Sequence, residues 1–317
     1  MAHFDADWHP SAGWAVTRMT FFATDMRLTM AIEISYEDSK RELHTDQGVL
    51  RYHQAGDGPP LLLLHGSGPG VTGWRNYRGV IGDFAEHFTC YVLEFPGFGV
   101  SDPCDGHPMV EAVGAVPAFL DGLGLGPVDI IGNSMGGVVG ARIAIARPEL
   151  VNKFVSIGGM GKNVLSSSPG EGIKLLMEFT DNPTREGLIR WLQSMVYNPA
   201  VVTEQLIEER WELATEPKTL EIARRMYSSK AFAAMAAANA QADGTPYWAQ
   251  FGKIKAPTLL TWGRDDRVSP VDLGLLPMRD IPNAEFHVFP NCGHWTMIEA
   301  RDAWVASVLS FLLRDRK

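Results

Sequence analysis

Val128-Asp129-Ile130-Ile131-Gly132-Asn133-Ser134-Met135-Gly136-Gly137 is the stretch on which the fold turns. It reads as a short apolar strand, then G-x-S-x-G, then a helix from near Val138. A serine at the centre of that turn is forced into a tight strand-to-helix bend. Glycines flank it because a β-carbon there would collide with neighbouring backbone. The bend lifts the hydroxyl clear of the sheet, where a base can reach it. The segment is therefore read as a nucleophile elbow and points to a hydrolase. The pattern is common by itself, so its weight depends on partners found downstream.

Outward from the elbow the chain alternates strand and helix. Gly48 to Gln54 reads as a strand, and Leu61 to Leu64 as a continuous apolar run of the kind expected in a buried parallel strand. Thr89 to Glu94, Lys153 to Ile157, Thr258 to Trp262 and Glu285 to Phe289 read as further strands. Helices are expected over Met109 to Leu123 and Asp302 to Leu313. Between about Gly161 and Phe251 the rhythm breaks into a Met-, Trp- and Ala-rich helical pattern, in which Ala231 to Ala240 is expected to be a tightly packed helix. The fold class is α/β: a doubly wound, mostly parallel sheet interrupted by a helical insertion. Residues 45–160 and 251–317 form the core, 161–250 a helical lid over the strand ends, and 1–44 an N-terminal arm. Met19, Met26 and Met30 leave the translation start open.

Composition narrows the class. The 317 residues carry a net charge of −9 and no Lys/Arg-rich patch, which argues against nucleic acid as a partner. No apolar run approaches the roughly 20 residues that span a membrane, and the start of the chain carries acid where a secretory signal carries base. Cys90, Cys104 and Cys292 lack metal-ligand spacing and are too scattered for a disulfide framework, which suits a reducing cytoplasm.

A serine hydroxyl needs an adjacent base, and the base needs an acid to fix its tautomer. In folds of this kind the chain order is Ser, then Asp or Glu, then His. Asn291-Cys292-Gly293-His294-Trp295 follows the strand ending at Phe289 and supplies His294 as the base; the alternative is a loop histidine capping a helix. Gly263-Arg264-Asp265-Asp266 follows another strand. Asp266 is preferred over Asp265, because it fits G-x-x-D-x-x-x-P ending at Pro270. An oxyanion hole needs two backbone N–H groups, expected from Met135 and from Ser67 in His65-Gly66-Ser67-Gly68-Pro69-Gly70. Gly68-Pro69-Gly70-Val71-Thr72-Gly73 also satisfies G-x-G-x-x-G, with Glu94 ending the next strand. That dinucleotide reading is disfavoured: His65-Gly66-Ser67 separate the strand from the first glycine, and Pro69 removes a phosphate-facing N–H.

Together these segments resemble the α/β-hydrolase superfamily, and within it the meta-cleavage product hydrolases, which break carbon–carbon bonds in bacterial degradation of aromatic compounds. The resemblance rests on His65 to Asn76, Gly132 to Gly137, Trp262 to Arg267 and Gly293-His294-Trp295. Tyr197 to Arg210 is similar to the family's lid helix, whose arginine holds the substrate's carboxylate. The helical wheel agrees, placing Arg210 between Leu206 and Ile207 on an apolar sector opposite Glu204, Glu208 and Glu212. A lone arginine there implies an acidic ligand or neighbour; the alternatives are snorkelling to solvent or a pair with Glu209. The resemblance also places Trp295, Asn133, Asn76, Gly66 and Gly68 against substrate, with core packing the other reading of Trp295. It implies a small-molecule substrate with a carboxylate, no metal or organic cofactor, and a homodimer or higher homo-oligomer. Glu94 stands where the family usually has aspartate, and residues 161–194 match least well. The expected activity is hydrolysis of a 2-hydroxy-6-oxohexa-2,4-dienoate-type compound; the rivals are a carboxylesterase with the same triad and a non-catalytic receptor on this fold.

Overall fold

The computed structural model describes residues 32–45, 48–241 and 243–316. A helical turn α1 (Tyr36–Ser39) leads into strands β1 (Lys40–Thr45), β2 (Gly48–Ala55) and β3 (Pro60–Leu64). Short helices α2 (Gly73–Tyr77) and α3 (Ile81–Ala85) precede β4 (Thr89–Glu94). Then follow α4 (Pro108–Gly122), β5 (Val128–Asn133), α5 (Met135–Ala146) and β6 (Val151–Ile157). The insertion comprises α6 (Glu171–Asp181), α7 (Arg185–Ser194), α8 (Glu204–Thr215), α9 (Pro217–Tyr227) and α10 (Ser229–Gln241). The core resumes with β7 (Thr258–Gly263), α11 (Leu275–Asp280), β8 (Ala284–Phe289), α12 (Thr296–Glu299) and α13 (Arg301–Leu313).

The eight strands lie in the order β1-β2-β4-β3-β5-β6-β7-β8. From β4 to β8 every pairing is parallel, while β2 runs antiparallel to both β1 and β4. Parallel strands covered on both faces must be apolar throughout. Leu61 to Leu64, all of β5 and all of β7 are buried accordingly. One face packs against Phe84, Trp304 and Phe311, the other against Phe119, Val139 and Ile143. The chain leaves β3 to one side for β4 and later returns on the other side as β5. That reversal opens a crevice beyond the C-terminal ends of β3 and β5, where such sheets place ligands.

Two expectations need correction. Residues 40–44, assigned to the arm, belong to the sheet, preceded by the turn α1: β1 pairs with β2 from Lys40↔His53 to Thr45↔Gly48. The signal is weak because β1 is a charged edge strand whose Leu43 packs against Gly122 of α4. The rest of that arm, residues 1–31, and its candidate start codons lie outside the described residues. The Ala-rich helix α10 is also not tightly packed, since none of its residues is buried. Alanine has the highest intrinsic helix propensity, so this segment is helical without a packed face. Among the described residues the insertion contains no strand, and no helix is long and apolar enough to cross a membrane.

Candidate active site

The elbow is built by exclusion. A β-carbon on Gly132 would lie 2.3 Å from the carbonyl oxygen of Gly136, and one on Gly136 would lie 2.1 Å from that of Leu64. Ser134 itself holds φ 51° and ψ −112°, an unusual backbone conformation for a residue with a side chain. Such conformations cost on the order of 1–3 kcal/mol and persist where the surroundings over-determine them. Here the Ser134 N–H donates to Ile157 O at 2.8 Å, tying the turn to β6. The Ser134 hydroxyl makes no hydrogen bond among the described residues and lines a cavity of about 320 Å³ together with His294.

His294 follows β8 and is 2% exposed. Its Nδ1 lies 2.7 Å from Asp266 Oδ2. A carboxylate can only accept, so Nδ1 donates and Nε2 is left as the basic nitrogen. The other oxygen of Asp266 accepts from the Val268 and Ser269 N–H groups, each at 2.8 Å, which fixes the carboxylate plane. Asp265 is instead paired with Arg264 at the surface, with its side chain 30% exposed. Close approach of the two loops depends on Gly263, where a β-carbon would meet Gly293 O at 1.9 Å.

The loop after β3 crosses in front of the elbow. The Gly66 N–H donates to Asn76 Oδ1 at 2.9 Å, which ties that loop to α2. Glu94 receives the Gly73 and Trp74 N–H groups at 2.8 and 3.0 Å and so anchors α2 from below. Burial pushes the Glu94 carboxyl up to about 7, against the pull of those two bonds. His65 Nε2 lies 3.9 Å from Glu94, yet the two form no ion pair in a chemical sense. That nitrogen accepts the Phe95 N–H at 3.0 Å while Nδ1 faces Gly66 O, so the ring is neutral, as its burial-lowered pKa of about 4 requires. The Ser67 hydroxyl is hydrogen-bonded to the Tyr227 hydroxyl of α9. The backbone N–H groups of Ser67 and Met135 have no acceptor among the described residues; Met135 is the first residue of α5, where the helix supplies none.

Arg210 reaches the same cavity from α8 and is 7% exposed. Its only hydrogen bond among the described residues goes from Nη1 to Pro69 O at 3.3 Å, and its guanidinium carbon stands 5.9 Å from the centre of the Trp295 ring. Burial first, then repulsion from Arg75, lowers its pKa to about 10, which leaves it charged at neutral pH. Glu209 is not its partner: that carboxylate is bonded to Arg75 at 2.6 Å. Asn133, Asn76, Gly66, Gly68 and Trp295 also line the cavity.

The α/β-hydrolase fold family matches residues 59–301. The 2-hydroxy-6-oxo-6-phenylhexa-2,4-dienoate hydrolase of Comamonas testosteroni is 36% identical over 271 residues, covering 83% of this chain and 91% of that protein. A 2-hydroxy-6-oxononadienedioate/2-hydroxy-6-oxononatrienedioate hydrolase of Burkholderia vietnamiensis is 37% identical, covering 84% and 91%. The chain belongs to the meta-cleavage product hydrolases, within the α/β-hydrolase fold family. Among solved structures, a meta-cleavage product hydrolase from Pseudomonas fluorescens IP01 (CumD) superposes with a TM-score of 0.78 at 26% identity, covering 87% of this chain and 98% of that one.

This meta-cleavage product hydrolase also has cavity residues that the sequence reading missed: Arg75, Arg78, Trp191 and Met195. Arg75 adjoins Asn76 in a quoted motif and could have been found there. Trp191 lies in the part of the insertion where the family pattern matches least, with Met195 just beyond it, and a buried tryptophan on an amphipathic helix reads first as core.

Proposed function

We propose that this chain hydrolyses a carbon–carbon bond in a 2-hydroxy-6-oxohexa-2,4-dienoate-type product of aromatic ring cleavage, with Ser134, His294 and Asp266 as its triad. The observation that carries the reading is Arg210, a buried cation with one carbonyl contact and no carboxylate in contact among the described residues. Such a group is costly unless a ligand supplies the anion. An ester hydrolase has no need of it.

The chemistry follows from the arrangement. A carbon leaving group departs only if its electrons have somewhere to go, so the dienol is first converted to its keto form. Arg210 holds the carboxylate end and His294 moves the proton. The Ser134 hydroxyl then loses its proton to His294 Nε2 and attacks the remote ketone, while the N–H groups of Ser67 and Met135 receive the oxyanion. Collapse breaks the carbon–carbon bond, and the electron pair enters an enol conjugated with the carboxylate. The enolate oxygen takes the proton held by His294, and the departing carbon, protonated already in the keto step, becomes the end of the new double bond. Water, deprotonated by His294, releases the acyl group from Ser134 and frees the carboxylic acid. In this reading α6 to α10 act as the lid, and the enzyme is a cytoplasmic homo-oligomer. Buried thiols at Cys90 and Cys292 suit a reducing compartment, and light scattering tests the oligomer.

The test compares turnover of a dienoate and of an uncharged aryl ester in Arg210→Ala. Dienoate kcat/KM is expected to fall about 100-fold or more, in line with the roughly 2–5 kcal/mol lost when one partner of a buried charge pair is removed. Ester turnover should stay unchanged. Intact dienoate turnover in the variant would remove Arg210 from the reading, and reaction with esters alone would make the protein a carboxylesterase. Absence of turnover on both substrates, with no acyl adduct forming on Ser134, would leave the receptor reading.

A further inference from the structure

Three guanidinium groups line the cavity, those of Arg75, Arg78 and Arg210. One carboxylate, Glu209, stands among them, and it is spent on two of the three. It accepts from Arg75 Nη1 at 2.6 Å and lies 4.0 Å from Arg78 Nη2, and Gln205 Nε2 reaches its other oxygen at 3.0 Å. Adjacent helical positions differ by about 100°, so α8 turns Arg210 inward while Glu209 faces the rim. The exposures agree: 7% for Arg210, against side-chain values of 27% for Glu209, 28% for Arg75 and 54% for Arg78.

A carboxylate attracted to this side of the cavity therefore has three cations to choose from. Bound to Arg210 it can place a remote ketone at Ser134. Bound to Arg75 or Arg78 it shifts the whole ligand toward the rim and leaves the ketone out of reach. We propose that Glu209 is a specificity-determining residue that occupies Arg75 and Arg78, leaves Arg210 as the one of the three with no carboxylate in contact among the described residues, and thereby fixes the register in which a substrate carboxylate binds. The inference rests on the reading of Arg210 given under Proposed function. Glu209 acts on substrate through the arginines it neutralises, so it is a positioning residue and not a catalytic one.

Non-productive binding has a kinetic signature. A competing complex lowers kcat and KM by the same factor and leaves kcat/KM unchanged, because kcat/KM compares the transition state with free enzyme and free substrate. A strut that merely held α8 against α2 would behave differently, since its loss would disturb Arg210 and lower kcat/KM. The experiment is steady-state kinetics of Glu209→Gln on a dienoate with one carboxylate and on a neutral aryl ester. Both kcat and KM for the dienoate are expected to fall about five-fold, the scale of a partly exposed ion pair, with kcat/KM held within two-fold and the ester unaffected. The triple variant Arg75→Gln/Arg78→Gln/Glu209→Gln removes the competing cations with their counterion and should return kcat and KM to wild-type values. It also serves as the test should the single variant fail to fold, with Glu209→Asp expected to keep wild-type kinetics. Unchanged dienoate parameters in Glu209→Gln, a fall in kcat/KM, a parallel effect on the ester, or a triple variant far from wild type would each overturn the proposal. Failure of the underlying reading is separable: it appears as full dienoate activity in Arg210→Ala, whatever Glu209→Gln does.

Discussion

Ser134 and Arg210 line one cavity, yet different physics holds each of them there. Ser134 sits in a turn that only one backbone path can make, with Gly132 and Gly136 packed against carbonyl oxygens. Arg210 sits inside α8, where helical backbone accepts almost any residue, and its role comes from what surrounds the side chain. The sheet ends thus fix chemistry through backbone exclusion, while the insertion fixes selectivity through tertiary context. Changes in the first region should abolish turnover of every substrate, and changes in the second should sort substrates from one another.

The largest expected effect tests the first half of that contrast. Ser134→Ala should lower turnover of dienoate and aryl ester alike by about 10⁴-fold or more, as loss of a triad member does, while equilibrium binding of the dienoate persists. Loss on one substrate only would break the comparison. Next in size is Asp266→Asn, which leaves His294 with the wrong tautomer partner and should cost roughly 10³- to 10⁴-fold in kcat. Asp265→Asn should change kcat less than about two-fold, because that carboxylate faces Arg264 at the surface. Measuring both variants at one pH decides which aspartate supports the base.

The same contrast explains what could be read from the sequence. The elbow, the acid loop and the histidine loop were legible because each needs glycines at fixed offsets, and β3, β5 and β7 because burial on two faces demands unbroken apolar runs. Arg210 was legible only as a cation on an apolar sector, and nothing in the spacing said whether Glu209 faced it; the pairing of Glu209 with Arg75 depends on α2 and α8 meeting in space. The edge strand β1 and the exposed α10 were misread for a related reason, since charge and alanine content describe local preference and not what lies opposite. Trp191 and Tyr227 reach the site from helices whose register the sequence leaves open.

Glu94 allows the support beneath the site to be probed by pH. Its folded-state pKa of about 7 lies above the ordinary value of 4.5. The native state therefore holds a proton that the unfolded chain has lost between those values, and stability falls as pH rises through that window. The effect is at most about 3 kcal/mol, from 1.36 kcal/mol per unit. Buried His53 and His65, each with a pKa lowered to about 4, push stability the other way in both proteins, so the check is the difference: the urea midpoint of the wild type relative to that of Glu94→Gln should fall from pH 4.5 to 8. Equal slopes would mean that the two backbone N–H bonds already hold Glu94 ionised across the range.

An effect far below that of losing a triad member lies where the two regions touch. A β-carbon on Gly68 would stand 2.5 and 2.7 Å from Trp191 Cη2 and Cζ2, and Trp191 is 1% exposed with little room to withdraw. Gly68→Ala should therefore destabilise the fold by roughly 1–3 kcal/mol, the usual cost of overpacking. Because Ser67 precedes it in the chain, kcat should fall more than KM rises. Trp191→Phe lacks both of the offending atoms, so in the Gly68→Ala background it should recover about 1 kcal/mol, read as the coupling term of a double-mutant cycle. Additive effects would mean that the loop after β3 yields without help from α7. The catalytic turn and the selecting helix would then be independent, and the insertion could be exchanged without retuning the oxyanion loop.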